Sequence, residues 1–231
     1  MRTRVKYCGL VRPQDVDAAV AIGADAIGFV FYSRSARLLD VETAAALRRR
    51  LPSWVSAVGL FVNEPAAVIA PIVRRVGLDV IQLHGDESPA DAKALPTAWW
   101  KAIRIGAAGV VSGASGMVPP TEPPRLAIVR ALAAFHEAEF CLLDSVSTGY
   151  GGSGKTFDWT VVPADAGRRL IMSGGLDASN VGAAIASVRP FGVDTSSGIQ
   201  GADAREKDLG RMEQFMEAVR RADDPAASKQ Q

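Results

Sequence analysis

The sequence predicts an α/β protein folded as a single (β/α)8 barrel of the phosphate-binding type. Three observations carry that reading. Eight short apolar or β-branched runs recur along the chain with helix-period segments between them, and strands that alternate with helices build a parallel sheet. The chain has 231 residues, 48% of them hydrophobic, which suits one closed barrel of eight βα units better than an open doubly wound sheet. Last among the units come two glycine-rich turns, Ser173-Gly174-Gly175-Leu176 and Asp194-Thr195-Ser196-Ser197-Gly198-Ile199. In a barrel the loops after strands 7 and 8 commonly hold a phosphate, because glycines let backbone N–H groups approach the anion and serines add hydroxyl donors.

The elements follow in order. Val5–Tyr7 is strand 1 and ends at Cys8-Gly9. Ala26–Phe31 is strand 2, with Ser35-Ala36-Arg37 in the loop after it. Val55–Val62 is strand 3, and Val80–Leu83 is strand 4, running into His84-Gly85. Trp99–Ile103 is strand 5, Phe140–Leu143 is strand 6 with Asp144 directly after it, Leu170–Met172 is strand 7, and Gly192–Val193 is strand 8. Between strands, Val68, Ile69, Ile72, Val73 and Val76 recur at helical spacing, as do Leu209, Met212, Phe215, Met216 and Val219; these stripes are core faces. Two segments break the rhythm. Gly106 to Arg125 is rich in Gly, Ala and Pro without periodicity and reads as a long flexible excursion. Asp223 to Gln231 is small and polar and reads as a disordered tail, leaving residues 1–222 as the barrel domain.

Charge is balanced, with 26 Lys and Arg against 25 Asp and Glu, so there is no basic footprint for nucleic acid and no polybasic membrane patch. Any anionic ligand must be held locally. No long apolar stretch marks a signal peptide or a membrane span, and a cytoplasmic enzyme is the expectation. Cys8 and Cys141 are too few for a disulfide framework and are expected to be thiols.

Active residues of a barrel sit at strand C-terminal ends. Cys8 after strand 1 and Asp144 after strand 6 both point into the mouth, where a thiol and a carboxyl form an acid/base pair. Each also has a plain structural reading: a free cysteine is often a small buried hydrophobe, and an aspartate often a cap or loop anchor. Cys141, inside strand 6, reads as core. Gln82 and His84 end strand 4 and read as pocket lining. Asp194 reads as ordering the second glycine turn rather than moving protons. Arg104 is either a source of positive potential or a rim residue.

Taken in order, several motifs resemble the phosphoribosylanthranilate isomerase family from about residue 4 to about residue 220: Lys6-Tyr7-Cys8-Gly9, Gly28-Phe29-Val30-Phe31 with Ser35-Ala36-Arg37, Gln82-Leu83-His84-Gly85, Leu142-Leu143-Asp144-Ser145, Gly151 to Trp159, and both glycine turns. The resemblance implies an Amadori rearrangement without cofactor or metal, turning N-(5-phosphoribosyl)anthranilate into 1-(2-carboxyphenylamino)-1-deoxyribulose 5-phosphate in tryptophan biosynthesis. It implies that Asp144 is the general acid that protonates the furanose oxygen and that Cys8 is the general base that removes the C2 proton. It implies that Arg37 contacts the anthranilate carboxylate, a task suited to a planar, permanently charged fork. The implied substrate site comprises Arg37, Gln82, His84, Gly154, Gly174, Gly175, Asp194, Ser196, Ser197 and Gly198. Cysteine suits the base role if its pKa falls toward neutrality, and Lys6 or the substrate's charges could tune it; the direction is not readable from sequence. The implied partner is a small phosphoribosyl substrate, and the protein is expected to be a monomer or a homodimer. The chain departs from the family pattern in the long Gly106 to Arg125 excursion and in an extended Gln200 to Asp208 stretch that lacks the usual Pro-Gly before Lys207-Asp208.

Gly149 to Thr156 also satisfies the G-x-x-x-x-G-K-[ST] nucleotide-binding pattern. That motif needs a strand running into the glycines and a helix starting at the Lys-Thr. Here Asp144 to Thr148 intervene and Phe157-Asp158-Trp159 follows, so the segment reads instead as a loop closing beside Asp144 with glycine hinges. A histidine-pathway isomerase is the nearer rival, but it is known for an aspartate where this chain has Cys8. A non-catalytic phosphoribosyl-binding protein would not need to retain both acid and base.

Overall fold

Side chains alternate across a strand with a period of two, so each strand sends one set of residues outward to the helices and the other into the barrel. The computed structural model describes residues 2–106, 111–112, 122–145, 156–163, 166 and 169–224. Among them, eight strands run parallel: β1 (Arg4–Cys8), β2 (Ala26–Val30), β3 (Ser56–Phe61), β4 (Val80–Leu83), β5 (Trp99–Ile105), β6 (Phe140–Ser145), β7 (Leu170–Met172) and β8 (Gly192–Thr195). Each pairs with its successor, and β8 returns to β1 with Val193 beside Val5 and Asp194 beside Lys6, which closes the barrel. All eight sequence-predicted strands are present. Strand 8 is longer than its apolar stub suggested, because Asp194 and Thr195 continue the ladder.

Around the barrel lie α1 (Pro13–Ile22), α2 (Val41–Arg48), α3 (Ala66–Val76), the short α4 (Pro89–Ala92), α5 (Pro124–Ala134), α6 (Val181–Val188) and α7 (Leu209–Asp223). Proline at the first helical position starts α1, α4 and α5, where its missing N–H has no partner to lose. Asp208 caps α7 by accepting from the Arg211 N–H at 2.9 Å. The helical stripes read from sequence are buried except at their edges: Val68 and Leu209 are exposed, while Ile69, Val73, Val76, Met212, Phe215, Met216 and Val219 are buried. Between β6 and β7 no α-helix occurs among the described residues, of which Trp159–Val161 form a 3-10 turn. Val111 and Ser112, inside the proline-rich excursion, pair antiparallel with Arg104 and Ile105. Helix α7 runs through Asp223, one residue into the expected tail, and this carboxylate accepts from the Thr3 N–H and hydroxyl at 2.6 and 2.7 Å. Residues 225–231 lie outside the described residues. No helix among the described residues is long and apolar enough to cross a membrane.

The barrel interior is apolar at its floor and polar at its mouth. Ala26, Val58, Val80, Trp100, Ala102, Leu142 and Ile171 pack together at the floor. Burying a side chain of this size stabilises by about 1.5–3 kcal/mol. Two residues further along the same strands, the inward positions become Gln82, Asp144 and Ser173, with Lys6, Cys8 and Asp194 facing them from β1 and β8. The outward set, including Val5, Tyr7, Ile81, Leu143 and Met172, joins the large core beneath the helices. Cys141 belongs to that outward set, and burial pushes its thiol up to about 11, as its core reading requires.

Candidate active site

One cavity at the C-terminal ends of the strands collects Cys8, Arg37, Gln82, His84, Asp144, Gly174, Gly175, Asp194, Ser196 and Ser197. Gly198 lines an adjoining groove that shares Gly175 and Ser197 with the cavity. Gly154, with residues 146–155 of the loop after β6, lies outside the described residues. Thr156 to Asp158 do not begin a helix, and the 3-10 turn that follows is capped by Asp158, so the helix required by the nucleotide-binding pattern is missing.

On one flank, β4 and β6 build a hydrogen-bonded chain. The Gln82 side-chain amide donates to His84 Nδ1 at 2.9 Å, and His84 Nε2 lies 3.0 Å from Asp144 Oδ2. With Nδ1 acting as acceptor, a neutral ring carries its hydrogen on Nε2 and donates it to the carboxyl group. His84 therefore does more than line the pocket: it fixes the orientation of Asp144.

On the other flank, β1 and β8 build an ionic cluster. Lys6 Nζ donates to Asp194 Oδ1 at 2.8 Å, both groups being almost fully buried, and the Ser173 hydroxyl donates to Asp194 Oδ2 at 3.1 Å. Burial pushes the Cys8 thiol above its ordinary value and Asp194 pushes it the same way; the Lys6 ammonium pulls it down without overcoming them. The net shift is thus away from neutrality. Burial would lower the Lys6 ammonium, but Asp194 and Cys8 more than offset it and hold Lys6 charged. Gly28 on β2 makes room for the thiol, since a Cβ there would stand 2.8 Å from Cys8 Sγ.

The two glycine turns lock together beside this cluster. Gly174 and Gly175 have φ of +81° and +69°, a conformation that side-chain-bearing residues rarely adopt. Thr195 Oγ1 donates to the Leu176 carbonyl at 2.7 Å, which joins the first turn to the second. Among the described residues, the N–H groups of Gly174, Gly175, Ser197 and Gly198 have no protein acceptor. Four free donors in adjoining turns, with hydroxyls beside them, are suited to the oxygens of an anion.

Arg37 reaches over the end of β1, where Gly9 with φ of +72° leaves space for its side chain. Its guanidinium donates to Gln200 Oε1 at 2.5 Å, its Nε is buried without a partner, and no carboxylate among the described residues lies within ion-pair distance. Arg34 is exposed, and Arg104 pairs with Asp86 at the rim. Sequence reasoning placed Ser173 in the first glycine turn but missed its bond to Asp194, and it missed Gln200 and the role of Lys207. Ser173 faces the cavity because it stands two residues after the inward-facing Ile171. Gln200 and Lys207 reach the site from a segment without periodicity, and no local signal marks them.

The fold and this cavity define a (β/α)8-barrel enzyme with its chemistry at the C-terminal mouth. The family model for N-(5'-phosphoribosyl)anthranilate (PRA) isomerase matches residues 5–218, and the chain belongs to that family as an isomerase of tryptophan biosynthesis. An N-(5'-phosphoribosyl)anthranilate isomerase of Bordetella petrii is 46% identical over 228 residues, covering 97% of this chain and 98% of the relative. The crystal structure of phosphoribosyl anthranilate isomerase from Thermotoga maritima superposes with a TM-score of 0.80 at 36% identity, covering 94% of this chain and 98% of that one. A phosphoribosyl anthranilate isomerase in complex with reduced 1-(o-carboxyphenylamino)-1-deoxyribulose 5-phosphate superposes with a TM-score of 0.77 at 33% identity, with the same coverage.

Proposed function

We propose that Asp144 is the general acid and Cys8 the general base of the Amadori rearrangement of N-(5-phosphoribosyl)anthranilate. The observation that supports this most is that the two groups enter one cavity from β6 and β1, with an unfilled set of anion donors beside them. The free N–H groups of Gly174, Gly175, Ser197 and Gly198 take the phosphate, while the Ser196 hydroxyl, which donates to the Cys8 carbonyl, ties the second turn to β1. Arg37 takes the anthranilate carboxylate in bidentate fashion, and Gln200 holds the fork for it. Binding energy at these two ends fixes the sugar between acid and base.

His84 occupies Asp144 Oδ2, which leaves Oδ1 to carry the transferable proton. Protonation of the ring oxygen breaks the bond from that oxygen to C1 and leaves a protonated Schiff base. Cys8 then removes the proton from C2 as a thiolate, and the electron pair moves to form the enolamine, which tautomerises to the ketone. The thiolate needs a cation, and two are in place: Lys6 permanently, and the protonated Schiff base at the moment of need. The proton lost by the thiol beforehand leaves to solvent or to Asp144; in the tautomerisation the thiol formed by abstraction gives a proton to C1 while the C2 hydroxyl proton passes to the Asp144 carboxylate, which restores both groups.

The assay is isomerisation of phosphoribosylanthranilate generated in situ, followed by loss of its fluorescence. Wild-type protein should turn it over without added metal or cofactor. A C8S variant that retains wild-type turnover would remove Cys8 from the mechanism.

A further inference from the structure

Lys207 lies between β8 and α7, and its side chain is 5% exposed. Its Nζ donates to the Ser196 carbonyl at 2.8 Å and lies 3.3 Å from Ser196 Oγ, and that hydroxyl donates to the Cys8 carbonyl at 2.9 Å. No carboxylate among the described residues is within 4.0 Å of this ammonium. A buried charge without a counterion is costly, and the cost is relieved by a ligand of opposite sign. The Ser197 and Gly198 N–H groups that await an anion follow Ser196 directly.

We propose that Lys207 is a positioning residue of the anion site, which holds the Ser196 turn from beneath and is protonated together with phosphate binding. The proposal rests on the phosphate reading of the two turns. The charged groups facing Lys207 are Arg37 from the β2 loop, Cys8 on β1, Asp194 on β8 and Asp15 on α1; Arg12, beside Asp15, donates to the Lys207 carbonyl. Burial, and then Arg37, lower the Lys207 ammonium to about 8, against the pull of the anionic groups. Near that pH a fraction of empty sites therefore holds a neutral amine. A dianion at the neighbouring N–H groups raises the lysine again, so binding takes up a proton. The sign is fixed: over the range in which phosphate is a dianion, its affinity falls as pH rises through about 8.

The test uses inorganic phosphate as ligand and calorimetry at about pH 8.5 in two buffers of different ionisation enthalpy. Wild-type protein should bind phosphate with net proton uptake. K207R keeps a charge that does not titrate, and should hold phosphate within a few fold with no uptake and a flat affinity between about pH 8 and 9.5. K207M should bind phosphate roughly tenfold or more weakly, as expected for loss of a charged hydrogen-bonding group, with KM for substrate raised more than kcat is lowered. C8S should retain the uptake, which separates Lys207 from the thiol. Uptake that persists in K207R or vanishes in C8S overturns the proposal, as does wild-type binding without uptake. Wild-type protein that binds no phosphate at neutral pH overturns the anion reading of the turns, and the role of Lys207 with it.

Discussion

The two flanks of the mouth hold equally buried residues by different physics. On the β4–β6 flank, Gln82, His84 and Asp144 form a directed chain of hydrogen bonds. On the β1–β8 flank, the buried Lys6–Asp194 ion pair sits beside the Cys8 thiol, which burial pushes up and the Lys6 ammonium pulls down. A directed hydrogen-bond chain fixes how a carboxyl group is oriented. A charge cluster fixes how readily a thiol gives its proton up. The acid and base proposed for this cavity thus stand in environments that work by different means.

The largest effects should come from removing the proposed acid and base themselves. D144N keeps the shape and hydrogen bonding but has no proton to give, so kcat should fall by about 10²–10⁴ with product affinity nearly unchanged. C8S should keep the fold and lose activity on the same scale. Steady-state kinetics with product-inhibition constants checks both. An unchanged kcat with weakened binding in D144N would make that residue a binding group and end the comparison.

Charge should also divide the flanks in stability. K6M leaves Asp194 buried without its cation and should destabilise by about 3–5 kcal/mol. Q82L leaves His84 Nδ1 without its donor and should cost about 1–3 kcal/mol. Urea unfolding of the two variants measures the contrast, and equal losses would erase it. Next in size, G175V places a branched side chain on a backbone with φ of +69°, and inorganic phosphate should bind roughly tenfold more weakly by calorimetry. The smallest effect belongs to Q200A, which frees the Arg37 fork without removing it. KM should rise about threefold to tenfold with kcat little changed, consistent with loss of one charged hydrogen bond that solvent partly replaces.

The barrel was legible because apolar runs and period-two alternation report on local burial, which each segment carries by itself. Ile171 and Ser173 show this: one inward position is floor and the next is site, and both follow from one strand. The pairing of His84 with Asp144 was not legible, since the two residues are 60 positions apart and meet only through the order of strands. The same holds for Lys207 and Arg37, whose charges interact through a closed barrel and not through any motif. The direction of the Cys8 shift depends on the balance of burial against Lys6, and residue types alone do not set that balance.

The clasp between Thr3 and Asp223 has a consequence for connectivity. In a closed ring of eight parallel units no unit is first, and here the two ends of the ring are already touching. A chain rejoined across the clasp by a short linker could instead be opened at Ser53, in the exposed turn that precedes β3 at the floor, on the face remote from the mouth. Such a circular permutant should fold and rearrange substrate with a kcat near that of the original, because every strand keeps its neighbours and no residue of the cavity lies near the new cut.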